Sequence, residues 1–269
     1  MVKKLFKHEF AAYFQIMLPM HLILVALAFF GRMIQIVETD SILYRIGMGS
    51  SVAIFILGII ALFLITQIFA IVRFYKNLFT GEGYLTLTLP VTATQHIWTK
   101  VSTVVLMQAL NILIVGLSVL LFTAGETFVE IVNEIQEAVS VLYEEAGNHL
   151  IGYAVEITVM LILSGFSTNL LYYSCIALGQ TFRKNRVLAA VGMYFAYCVI
   201  MRLFETILNV VLFASIGSEW IENVVNYLTE HAFASLHTIY GFAIFVSIVM
   251  CIVFFMIPRH VMTKKLNLE

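Results

Sequence analysis

"GMGSSVAIFILGIIALFLITQIFAIV", residues 47–72, contains no Asp, Glu, Lys or Arg. The hydrocarbon core of a bilayer is about 30 Å thick and a helix rises about 1.5 Å per residue, so roughly 20 apolar residues cross it. This stretch reads as a membrane-crossing helix. Five further stretches qualify outward from it: near 12–33, 99–123, 151–178, 187–214 and 237–257. The composition agrees, since 61% of the 269 residues are hydrophobic and only 12% are charged, against about 25% charged in a soluble domain. A chain this poor in charge cannot cover itself with polar surface. The expectation is an all-α integral membrane protein with six transmembrane helices, forming a single domain over residues 1–269.

The start, "MVKKLFKHEF", places positive charge ahead of an apolar run, as a signal peptide does. The run is too long and no small-residue cleavage pattern follows, so it reads as a retained first span. Orientation follows from Lys and Arg, whose excess lies in cytoplasmic loops. Lys3, Lys4, Lys7, Arg73, Lys76, Lys100, Arg183, Lys184, Arg186, Arg259, Lys264 and Lys265 fall on one side; the opposite connections hold only Arg32 and Arg45. Both termini are therefore expected in the cytoplasm. Leu5, Phe6, Phe10 and Tyr13 recur near helical spacing opposite the lysines, predicting an interfacial amphipathic helix over 2–14. Pro19 then predicts an elbow early in the first span.

The connection over 124–150 is polar and acidic. Glu126, Glu130 and Glu134 recur every four residues beside an apolar stripe of Phe128, Ile131, Ile135 and Val139, which predicts an extracellular amphipathic helix with an acidic face. With Glu137, Glu144 and Glu145 it carries six acids and no base. Two readings stand: a solvated face, or a capture surface for cationic substrates formed by Glu126, Glu130, Glu134 and Glu137. The other outer connection, 215–236, lacks Lys and Arg and carries Trp220 and Tyr227, residues suited to the membrane-water boundary. Part of 203–236 is also compatible with a re-entrant segment.

The sequence shows none of the usual signatures of catalysis. It has no G-x-x-x-x-G-K-[ST] phosphate loop, no H-E-x-x-H zinc helix and no G-x-S-x-G elbow, so neither ATP binding through such a loop nor membrane hydrolysis has a motif to rest on. No catalytic residue, metal site or cofactor is assigned. Cys175, Cys198 and Cys251 fall within spans and read as apolar residues rather than a disulfide framework. Arg202 lies deep in the fifth span with Glu205 at i+3; either the pair neutralises itself or it marks a polar pathway or gate. Glu156, near the outer end of the fourth span, reads as snorkelling to water. Asn111, Asn169 and Gln67 read as cross-helix bonding groups or as lining of a path. No series of intramembrane carboxylates marks an ion relay, so energy for transport would come from elsewhere.

The inner connection, "RFYKNLFTGEGYLTLTLPVTATQHIWTK" (73–100), admits a short strand or a short helix around 84–89, pinned by Gly81, Gly83 and Pro90. Thr92 with Gln95 fits a capping box that starts the next helix. Its pattern, with Glu82, Gly83, Tyr84, Leu85, Leu87, Leu89, Pro90, Val91 and then Lys100, resembles the inner loop of type 2 ATP-binding-cassette (ABC) exporter permeases; Tyr84 departs from the threonine of many members. With "LFKHEF", Pro19 and the final "KKLNLE", the chain resembles a branch of these permeases common in Gram-positive anaerobes.

The resemblance implies a permease subunit in the cell membrane. In this family six spans form one half, a second identical or paralogous permease completes the pathway, and separate cytoplasmic ABC ATPases supply energy with ATP and Mg. It also implies that a coupling loop at 73–98 receives ATPase motion through a short coupling helix, with Glu82, Gly83, Tyr84, Leu85, Leu89 and Pro90 at the contact. The expected function is export of a hydrophobic or amphipathic substrate, whether peptide, lipid-like molecule or drug, with lipid as surroundings and no nucleic acid as partner. The alternative is a non-transporting membrane scaffold or sensor whose acidic extracellular helix binds a ligand.

Overall fold

A computed structural model of the chain describes residues 2–37, 39, 41–83, 88 and 90–264, without the side chains of residues 126 and 127. The described residues are almost entirely helical and include no strand. Six helices are long and apolar enough to cross a membrane: α1 (Val2–Ile36), α2 (Ile42–Phe79), α3 (Ala93–Phe122), α5 (His149–Gly179), α6 (Arg186–Ala214) and α8 (Ala232–Lys264). They cover the six apolar stretches read from the sequence, α3 stopping one residue short at Phe122. Two amphipathic helices, α4 (Glu126–Ala146) and α7 (Glu219–Glu230), complete the set, and the 203–236 segment holds the end of α6, α7 and the start of α8.

Several helices outrun their apolar stretches, because a basic residue ends the hydrocarbon run without ending the helix. Helix α2 continues through Arg73 and Lys76 to Phe79. Helix α3 starts at the expected box: the Thr92 amide donates to Gln95 Oε1 at 3.0 Å and the Gln95 amide to Thr92 Oγ1 at 3.3 Å, satisfying helix-end donors that otherwise lack partners. The connection between α2 and α3 is thereby shortened to 80–92. Residues 81–83 are helical and Thr88 lies in a turn. Tyr84, Leu85, Leu87 and Leu89 lie outside the described residues.

Helix α1 runs unbroken through Pro19. The segment 2–14, expected as a separate interfacial helix, thus forms the first turns of a longer one. Its apolar side has a protein partner: Tyr13 is buried with Ala70, Val104 and Met107, and Phe10 packs against them. Proline is tolerated inside membrane helices because neighbouring groups re-satisfy the freed backbone.

The chain forms two compact units, Met1–Leu142 and Tyr143–Glu269. In the first, α1, α2 and α3 pack on one another, with α2 antiparallel to the other two. Met17, Leu24, Ala28, Phe55, Leu62 and Phe122 form its core. Phe55 and Phe122 stack with centroids 4.8 Å apart, and the Phe122 ring occupies the place where a Cβ on Gly31 would stand. A glycine therefore sets the close approach of α1 and α3, the usual use of small residues between membrane helices.

In the second unit α5 packs along α8 and against α6, while α7 touches α8. Ser174 Oγ donates to the Phe254 carbonyl at 2.6 Å. A Cβ on Gly179 would lie 2.6 Å from the Ala190 Cβ, so glycine permits α5 to meet α6 there. Helix α6 buries only Ala190. The three cysteines are free, with Cys175 buried.

Candidate functional site

The site is built at the root of the connection between α2 and α3. Arg73 lies within two turns of the end of α2, and Lys100 within two turns of the start of α3. Both reach one carboxylate on α1: Arg73 Nε donates to Glu9 Oε2 at 2.6 Å and Lys100 Nζ donates to Glu9 Oε1 at 2.7 Å. Glu9 is 4% exposed and Lys100 3%. Glu9 thereby ties both legs of the loop to α1.

Burying three charges is costly, and their mutual attraction offsets that cost only when geometry and hydrogen bonding are good. Here each carboxylate oxygen has its own charged donor. Arg73 also lies over the Phe69 ring, 5.9 Å from its centroid. His96 stands one turn before Lys100, fully buried, with neither ring nitrogen hydrogen-bonded among the described residues. The Glu82 carboxylate, in the loop itself, lies close enough to act electrostatically on Lys100.

Gly83 is also placed by packing. Its amide donates to the Thr80 carbonyl at 2.7 Å, and a Cβ there would stand 2.6 Å from the Leu78 carbonyl oxygen. Residues 80–83 consequently turn tightly on the end of α2 at a position that a side chain would obstruct. Pro90 is described and exposed. Of the expected contact residues, Tyr84, Leu85 and Leu89 are the ones outside the described set.

A second polar group lies deeper in the same unit. His21 Nε2 hydrogen-bonds Asn111 Oδ1 at 2.8 Å, Asn111 Nδ2 donates to Thr66 Oγ1 at 2.8 Å, and Thr66 Oγ1 donates to the Leu62 carbonyl at 2.8 Å. All three side chains are buried. Asn111 thus joins α1, α2 and α3 by hydrogen bonds, and Gln67 accepts from Gln108 across α2 and α3 at 3.0 Å.

The remaining expected residues lie elsewhere. Asn169 is buried and donates to the Gly165 carbonyl of its own helix at 2.8 Å. Arg202 and Glu205 pair at 3.0 Å, with side chains 84% and 53% exposed, on a surface of α6 that no other element of the second unit covers. Glu130, Glu134 and Glu137 line an open concavity with Gly125, Phe128, Val129 and Asn133; the Glu126 side chain is outside the described set. Sequence reasoning overlooked Glu9 and His21. Glu9 carries no local signal, because its partners stand 64 and 91 residues away. None of the family models, curated proteins or solved structures compared with the chain matches it.

Proposed function

We propose that the chain is the permease subunit of an ABC transporter. Two such subunits, identical or paralogous, form a pathway that exports a hydrophobic or amphipathic substrate, and separate cytoplasmic ATPases drive it. The observation that carries this reading is the Glu9–Arg73–Lys100 cluster. A passive connector between two spans has no use for a buried carboxylate shared by two cations at its root. A loop that receives force does, because displacement of residues 80–92 then moves α1, α2 and α3 together instead of being lost in the slack of one leg.

In this mechanism ATP binding draws the ATPases together, the inner loops follow, and the three-helix unit tilts to switch access from one side to the other. The basic residues around the loop favour the cytoplasmic side, within reach of a soluble motor. The hydrocarbon-rich helices suit an apolar or amphipathic cargo. The test is a reconstituted complex with a phosphate-loop ATPase encoded beside this chain, comparing wild type with E82A and L89A. Loss of transport with retained permease fold is the expected result; unchanged assembly, ATPase rate and transport in both variants would exclude the coupling role.

A second reading has its own observation, the acidic concavity on α4. It fits a non-transporting scaffold or sensor that binds a cationic ligand outside the cell. That protein would show no association with any ATPase.

A further inference from the structure

At the N-terminal ends of α5 and α8, opposite the Arg259 and Lys264 end of α8, two histidines meet. His149 Nδ1 and His237 Nε2 are 3.0 Å apart, and His237 Nδ1 lies 2.8 Å from Glu156 Oε1. Glu156 was expected to snorkel to water; it accepts a hydrogen bond from His237 instead. In the neutral ring that bond fixes the tautomer of His237, with the proton on Nδ1 and the Nε2 lone pair turned toward His149.

Neighbouring groups hold both rings in this pose. The Tyr153 ring stacks on His237 at 4.4 Å between centroids, and its hydroxyl donates to the Phe233 carbonyl at 3.0 Å. The Phe233 ring lies parallel to His149, 5.4 Å away with 8° between planes. Gly152 leaves room for the arrangement, since a Cβ there would stand 2.8 Å from His237 Cε1.

An imidazole whose one nitrogen donates to a carboxylate while the other points at a second imidazole is arranged as metal-ligating histidines are. The spacing fits too. With metal–nitrogen bonds of about 2.0–2.1 Å, neighbouring ligands lie about 2.9 Å apart at a right angle and about 3.3 Å apart at the tetrahedral angle. We propose that His149 Nδ1 and His237 Nε2 form a two-imidazole site for a borderline divalent cation, copper(II) or zinc, with Glu156 as the residue that orients His237.

Without the cation, His149 donates its Nδ1 proton to His237 Nε2. On binding, His149 shifts to its Nε2–H tautomer and both rings turn slightly, because a cation bonded to two nitrogens 3.0 Å apart stands about 1.4 Å off the line between them. Among the described residues no group of three or more His, Cys, Asp or Glu is set to hold a metal ion, so water completes the coordination. The site is open and exchangeable, and its cation ties α5 to α8. Imidazole suits both cations, and copper(II) stands highest in the usual affinity order.

The test uses the full chain, purified without a histidine tag in lipid nanodiscs and titrated with Cu²⁺ and, separately, Zn²⁺. One Cu²⁺ per chain is expected, with electron paramagnetic resonance showing two imidazole nitrogens in its plane. H149Q keeps a hydrogen-bonding group beside His237 but removes a ligand; it is expected to lose the two-nitrogen signature and at least about tenfold in affinity. E156Q is expected to weaken binding by about 10–100-fold, as outer-sphere partners do. H8A/H260A should bind as wild type does. A second readout needs no variant: the melting temperature of the wild-type chain should rise with Zn²⁺ concentration, because binding to the folded form alone stabilises it. Absence of a stoichiometric site in wild type, or H149Q binding as tightly as wild type, overturns the proposal.

Discussion

Glu9 shows how one residue organises its surroundings. It is nearly buried, and both its oxygens are engaged by cations from different helices. Removing one partner of a buried pair typically costs about 3–5 kcal/mol, because the other charge is left uncompensated. E9A is therefore expected to lower unfolding stability in micelles by about that amount, whereas E130A on exposed α4 should change it by less than about 0.5 kcal/mol. R73Q should cost less than K100M, since the Arg73 side chain is 22% exposed and that of Lys100 is 4%. Equal effects from all four substitutions would show that the cluster is not held as described. Asn111 allows a milder test. Hydrogen bonds between membrane helices average about 0.6 kcal/mol and reach about 1.7, so N111L should destabilise by about 1 kcal/mol, measured by the same unfolding assay. In the sequence Glu9 is one acid among lysines at the head of an amphipathic segment, and nothing local marks it as a hub. Asn111 was legible as a bonding group from its depth in an apolar run, but not its partners His21 and Thr66.

At the scale of elements, legibility follows sequence separation. The start of α3 was readable because its signal is local: Thr92 and Gln95 stand three residues apart and cap the helix reciprocally. Replacing such a cap typically costs about 1 kcal/mol, so T92A should destabilise the chain by about that much and raise amide exchange in the first turn of α3. The unbroken course of α1 was not readable, because a proline that breaks a soluble helix is accommodated where other helices surround it. The pairing of α1 with α3 at Gly31 was equally hidden. Its consequence is testable: G31L should weaken the packing, since the Phe122 ring already occupies the space beside Gly31. F122A in the same chain should restore part of the lost melting temperature. Independent, additive losses would argue against direct contact. The His149–His237 pair likewise lay beyond local reading, its members standing 88 positions apart.

At the scale of the whole molecule, the six spans were the most legible feature, because length and hydropathy alone define them. Their connections carry the functional question. The α2–α3 loop sits on a root where three helices share one buried ionic cluster, and the acidic helix α4 presents Glu130, Glu134 and Glu137 on an open surface. In the permease reading the first feature receives work from a motor and the second meets the outside. Neutralising the three α4 acids should reduce handling of cationic peptides if that surface captures them, and leave apolar cargo unaffected; unchanged peptide transport would remove the capture role. The central claim concerns the inner loop, and a photo-crosslinking amino acid placed at Glu82 in living cells tests it most directly. The permease account predicts that light joins this position to a cytoplasmic protein bearing an ATP-binding phosphate loop, identified by mass spectrometry. Crosslinks to lipid or to this chain alone, in cells of the native host that express its ATPases, would contradict it.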